Sequence, residues 1–296
     1  MKITYKLVAG ITLLACVGLS FRSCHDRTAT KDAPPAMDSI GVSASGAMRY
    51  EGEMISVPSP VQIANLIQKN NIPYKKELVN GIENKSRYLN ETKKAMNLGV
   101  YGADLAYIAN YNLGQINNDY FDALANISSD LHILGNIDKR VVSKLSSNLN
   151  NRDSILGLNT EFFRLADRYL RSNQRPNIGS YVLIGGWIES LHLAADAAKE
   201  NEELRTRLGE QKYSAESIVN LTAKLDDPTF ISIKTDLLKL CEALKNLEST
   251  YNYRQPINDQ REKITYLRSQ SSVKIDMDEM TKIVELIETV RKAIIE

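Results

Sequence analysis

At 296 residues, with 37 basic against 36 acidic side chains, the chain is nearly neutral, which excludes the broad positive footprint of a nucleic-acid binder. Three cysteines, two of them within the first 24 residues, exclude an internal disulfide framework. Stability must come from a core, and an apolar share of 43% supplies one.

The chain begins with Lys2 and Lys6, then an apolar run from Leu7 to Phe21, then Cys24 and the polar His25, Asp26 and Arg27. The run is shorter than the roughly 20 residues of a membrane-spanning helix. It reads as an export signal, residues 1–24, followed by a lipid-attachment cysteine. Two cysteines compete. Cys16 follows Leu13, Leu14 and Ala15, which fits bacterial lipoprotein signals, but it lies inside the apolar run. Cys24 departs from that pattern at Phe21 and Arg22, yet stands where the chain turns polar, and is favoured for that reason. A leader cleaved without lipidation is the alternative. Without Lys2, Lys6 and Arg22 the mature chain has 34 basic and 36 acidic residues.

Residues 25–56 are rich in Thr, Ala, Ser, Gly and Pro and read as a tether, whose 30 or so residues reach roughly 30 Å. The folded part, 57–296, opens at Ser59-Pro60, a helix cap followed by proline at the first helical position. Apolar residues then recur at three, four or seven: Val61, Ala64, Ile67; Leu78, Ile82, Leu89, Met96; Phe121, Leu124, Ile127, Leu131; Val141, Leu145, Leu149. The spacing continues through Ile155, Phe162, Ala166, Tyr169, through Ile184, Ile188, Leu191, Ala195, and from Phe230 to Tyr251. This predicts an all-α fold, either a multi-helix bundle or an α-solenoid-like array. Gly135 and Gly209 are expected helix ends, Asp227-Pro228 a start, and Asp276 or Asp278 the cap of a last helix. Between them, residues 264–267 and 272–275 alternate and flank a polar stretch, which reads as a short β-hairpin or an ordered loop.

Two segments look alike. Gly99, Tyr101, Leu105, Ala109 and Asn110 fall on Gly185, Trp187, Leu191, Ala195 and Asp196 at a constant offset of 86. The expectation is a unit of about four helices present twice, 74–150 and 153–227. Glycine costs roughly 1 kcal/mol inside a helix, so Gly99, Gly102, Gly185 and Gly186 point to close helix packing, with Tyr101 and Trp187 beside it.

Evidence for chemistry is thin. Glu189 and His192, at i and i+3, share a helix face as in carboxylate-bridged metal bundles, with Asp196 nearby. No second Glu-x-x-His exists, and Ala103 and Ala106 stand at the equivalent places. A solvated helix-edge pair is the expected reading, with no metal and no cofactor. His25 and His132 lack clustered partners, and Cys241 lies on an apolar stripe where a buried, inert thiol is expected. No glycine-rich phosphate loop or nucleophile elbow occurs. Tyr101, Tyr107, Tyr111 and Tyr120 cluster in the sequence as a candidate binding surface, with a rim on the helical core as the alternative.

The leader, the tether and the segments 99–105 and 185–189 resemble all-helical lipoproteins of Gram-negative anaerobes, a group that brings no activity with it. The expectation is therefore a protein without catalytic activity, held in the outer membrane of the cell envelope by lipid. It would bind or scaffold another envelope protein or a small ligand. The alternatives are an envelope enzyme or metal-binding protein using Glu189 and His192, and a helical solute-binding subunit.

Overall fold

The computed structural model describes residues 47–50, 53–259, 264–266 and 269–296. The leader, with Cys16 and Cys24, and His25 lie outside them. Two strands come first, β1 (Ala47–Tyr50) and β2 (Glu53–Ser56), an antiparallel pair with Ala47 opposite Ser56. Regular structure thus begins inside the segment expected as tether. Helix α1 (Pro60–Lys69) follows behind a Ser59 capping box completed by Gln62.

The next turn corrects the sequence reading. Leu78, Ile82 and Leu89 keep a helical period, yet residues 72–88 form no α-helix, only two 3₁₀ turns at Lys76–Leu78 and Ile82–Arg87. Asn71 leaves α1 with a left-handed φ of 56°, Pro73 lacks a donor, and several backbone groups here bond to side chains from elsewhere. Leu89, the supposed apolar contact, is 87% exposed.

Helices α2 (Glu91–Ala109), α3 (Gly114–Asp130), α4 (Lys139–Ser147), α5 (Arg152–Ser172) and α6 (Pro176–Ala198) come next. They are followed by α7 (Glu202–Gly209), α8 (Lys212–Thr222), α9 (Pro228–Lys245) and α10 (Met277–Ile295). The fold is all-α. Helices α2 and α6 are buried on every side over residues 95–109 and 184–195, as expected for helices that are apolar all round. They pack on each other, and both touch α1, α5 and α10. Contacts between helices so distant in sequence make this a bundle around a central pair; in a solenoid each unit would touch only its neighbours.

The central pair meets backbone to backbone. A Cβ on Gly185 would lie 1.9 Å from the Met96 carbonyl oxygen, and one on Gly99 would lie 2.0 Å from that of Val182. Gly102 admits the Phe163 ring of α5, which a Cβ would meet at 2.3 Å. Trp187 is buried beside this crossing and donates to Gln211 at 3.1 Å. The two segments that look alike are therefore one another's packing partners. Past the crossing, the offset of 86 lays the 17-residue α3 across α7 and the start of α8, helices of 8 and 11 residues.

Gly135 is not the end of α3. That helix stops at Asp130, and His132 takes the left-handed conformation, φ 58°. Its neighbour Ile133 donates back to the Ser128 carbonyl at 2.8 Å, satisfying an orphan acceptor. Gly209 does end α7, where a Cβ would press on Val273 at 3.1 Å.

Between α9 and α10 runs a β-ribbon longer than the sequence indicates. Strand β3 (Ser249–Asn252) pairs with β6 (Gln270–Val273), and β4 (Ile257–Asp259) with β5 (Ile264–Tyr266), both antiparallel. The two stretches expected to pair with each other both belong to the returning arm, and their partners lie upstream. Val273 anchors the ribbon, buried against Gly209 and the core.

Candidate functional site

Helices α2 and α6 each carry one fully buried acid, Asp104 and Glu189, which a helix buried all round can hold only with partners. Glu189 has one on α10. Arg291 donates from Nε and Nη2 to its two carboxylate oxygens, both at 2.7 Å. This is the bidentate geometry that repays desolvation best. Burial opposes the Arg291 charge, but Glu189 first, then Asp104 and Glu288, hold it above its ordinary value. Asp104 accepts the Asn80 backbone N–H at 3.1 Å. Burial, then the Glu189 carboxylate, push its carboxyl well above the usual range, with Arg291 opposing. Burial and the neighbouring Glu189 thus favour the neutral form of Asp104, as happens where two close carboxyls face one cation.

The cluster works on the irregular segment 72–88, a strap across the central helices. The Leu78 carbonyl accepts from Arg291 Nη2 at 2.9 Å and contacts His192 Nε2 at 3.0 Å. The Asn80 carbonyl accepts from the Tyr120 hydroxyl at 2.7 Å, and that of Gly81 from Tyr101 at 2.8 Å. The Tyr111 hydroxyl donates to the Ile72 carbonyl at 2.8 Å, and the Lys75 N–H to the Tyr107 oxygen at 3.1 Å. The Asn80 side chain donates to Tyr88 at 2.9 Å and accepts from Asn84 at 2.8 Å. Lys75 reaches across to Asp196 at 2.6 Å. A chain segment without helix or sheet must find its hydrogen bonds among side chains, and here it does.

This places the residues singled out in the sequence. Tyr101, Tyr107 and Tyr120 are buried and Tyr111 is half-buried, with all four hydroxyls turned onto the strap. They form no outward face, because each polar tip satisfies a backbone group that burial would otherwise orphan. Tyr74 completes a triangle of rings with Tyr107 and Tyr111, its centroid 5.6 and 5.4 Å from theirs. Glu189 and His192 are not a solvated edge pair either. Both are buried, Glu189 on Arg291 and His192 2.5 Å from Glu288. Cys241 is buried, and burial pushes its thiol up to about 12.

Sequence reasoning missed Asp104, Asn80, Glu288 and Arg291, although two signals were present. Asp104 is the lone charge between Leu98 and Ala109, and Arg291 falls four residues after Ile287, on the stripe of Ile283, Ile287 and Ile294. A lone charge on an apolar face calls for a buried partner.

Two surface grooves among the described residues do not reach Asp104 or Glu189. One of about 650 Å³ lies between α1 and α7, lined by Gln62, Asn65, Lys69, Glu203, Arg207 and Glu210. Another of about 540 Å³ lies between α9 and α10. Among the described residues, no group of three His, Cys, Asp or Glu is placed to hold a metal ion. No helix among them is long and apolar enough to cross a membrane. Comparison of the chain with family models, with curated proteins and with solved structures gives no match in any of the three.

Proposed function

We propose that the chain is a lipid-tethered protein of the outer membrane that binds or scaffolds another envelope protein and carries out no chemistry itself. The observation that carries this reading is the ribbon between α9 and α10. Tyr251, Tyr253 and Ile257 are 69%, 67% and 50% exposed on it, and each half of the ribbon has only two strands, leaving backbone groups at its edges for a partner. Exposed tyrosines with an apolar ring and a polar tip suit a protein interface. A two-stranded ribbon is marginal by itself, so one whose strand β3 is exposed throughout favours a use outside the core. The apolar leader and Cys24, or Cys16, support export and lipidation.

The competing reading, an enzyme or metal site at Glu189 and His192, is weakened by their engagement with Arg291 and Glu288. Site-specific photo-crosslinking tests the proposal. A photoreactive residue at position 253 or 257 of the full chain, irradiated in intact cells, should give one discrete protein adduct. No adduct from either position, with folded and membrane-associated protein present, would contradict it. Mass spectrometry of the membrane fraction tests the tether, with an unmodified mature chain as the contrary result.

A further inference from the structure

His192 stands between two groups that can only accept. Its Nε2 lies 3.0 Å from the Leu78 carbonyl of the strap, and its Nδ1 lies 2.5 Å from Oε1 of Glu288. The hydrogen bond from His192 holds the Glu288 carboxyl below its ordinary range against the effect of burial, and Arg291 and Lys199 add to this. A neutral imidazole has one N–H, whereas the imidazolium has two. Only the doubly protonated ring makes both contacts at once.

Among the charged and titratable groups of α2, α6, α10 and the strap, that role falls to Glu288. On α6, Glu189 is matched by Arg291 of α10, and Asp196 by Lys75 of the strap and Lys199. On α2, Asp104 is held toward its neutral form and Tyr107 accepts from the strap. Glu77 on the strap acts on Lys75. The carboxylate left for the ring's second proton is Glu288.

We propose that His192 is a proton-operated clasp on the 72–88 strap, closed while the ring is doubly protonated and released when it gives up one proton. Release frees either the Leu78 carbonyl or Glu288 and loosens the strap over Asp104 and Glu189. At the acid end the sign reverses. Because Glu288 is held below its ordinary value, its contribution is present above that value and is lost as pH falls through the folded one. The strap is tightest between the two events.

Amide hydrogen exchange on the full chain, from about pH 5 to about pH 9, tests the clasp, with each rate referred to the intrinsic rate at that pH. Ring protonation is followed by two-bond nitrogen spectra on the same sample. Protection at Leu78 and Asn80 should fall about tenfold as the ring loses its second proton, the scale of one charge-assisted hydrogen bond. Protection at Leu105, inside α2, should fall less. In Glu288→Gln the new amide can donate to Nδ1, so a neutral ring satisfies both contacts and strap protection should no longer follow the ring. The proposal is overturned by strap protection that ignores ring titration, by the same pH dependence in Glu288→Gln, or by an equal change at Leu105.

Discussion

Replacing Gly185 by alanine sets two effects of opposite sign against each other. Alanine favours a helix interior over glycine by about 1 kcal/mol. Its methyl, however, would sit 1.9 Å from a backbone carbonyl of α2, where ordinary contact begins at 3.4 Å. Backbone cannot swing aside as a side chain can, so the central helices would have to part by about 1.5 Å. That parting would also strain Glu189, one turn further along α6, on Arg291. Overpacking of this kind costs about 1–3 kcal/mol and occasionally more, and the upper end applies where both partners are backbone. The expected net loss is about 2 kcal/mol. Trp187 is the chain's only tryptophan and lies buried two residues away, so its emission during urea unfolding reports the midpoint directly. Gly157 provides the control. It lies inside α5, where an added methyl would meet nothing within 4 Å, and Gly157→Ala should gain about 1 kcal/mol. If Gly185→Ala also stabilised, or cost nothing, α2 and α6 would not cross backbone to backbone at this point.

Glu189→Ala removes the bidentate partner of the buried Arg291 guanidinium, leaving it the Leu78 carbonyl and the charges of Asp104 and Glu288, and should cost about 3 kcal/mol in urea unfolding. The double variant Glu189→Ala/Arg291→Met should recover most of that loss, and an additive result would deny the coupling. Asp104→Asn probes the raised carboxyl. Asp104 contributes stability below its ordinary range that is lost as pH rises through its folded value. The variant should therefore lose less stability than the parent on the alkaline side, as read by thermal unfolding at a series of pH values. Cys241 should resist a thiol reagent in the native state and react on unfolding, since burial keeps it protonated; rapid native labelling would contradict its placement.

Much of the bundle was legible in the residues. Apolar spacing and caps such as Ser59, Asp227 and Asp276 mark α1, α9 and α10, because these signals are local. The strap was not, since Leu78, Ile82 and Leu89 mimic a helical stripe while its backbone bonds are made by α2, α3, α6 and α10. The end of α3 was misread because the left-handed residue is His132, and a search for glycine passes it by. The tyrosines stood out as a group, but grouping in sequence does not say which way a hydroxyl turns. Glu189 and His192 were seen as a pair with each other because i, i+3 spacing is visible. Their partners, Arg291 and Glu288, lie about 100 residues away, beyond what periodicity reaches.

We propose a division of labour in which the buried acids hold the strap and the exposed ribbon meets a partner. Its most direct test is the yield of the adduct from a photoreactive residue at position 257, compared between Tyr251→Ser/Tyr253→Ser and Asp104→Asn, both shown to be folded by Trp187 emission. The ribbon variant should lose most of the adduct, and Asp104→Asn should keep it. Loss in Asp104→Asn with full yield from the ribbon variant would contradict it.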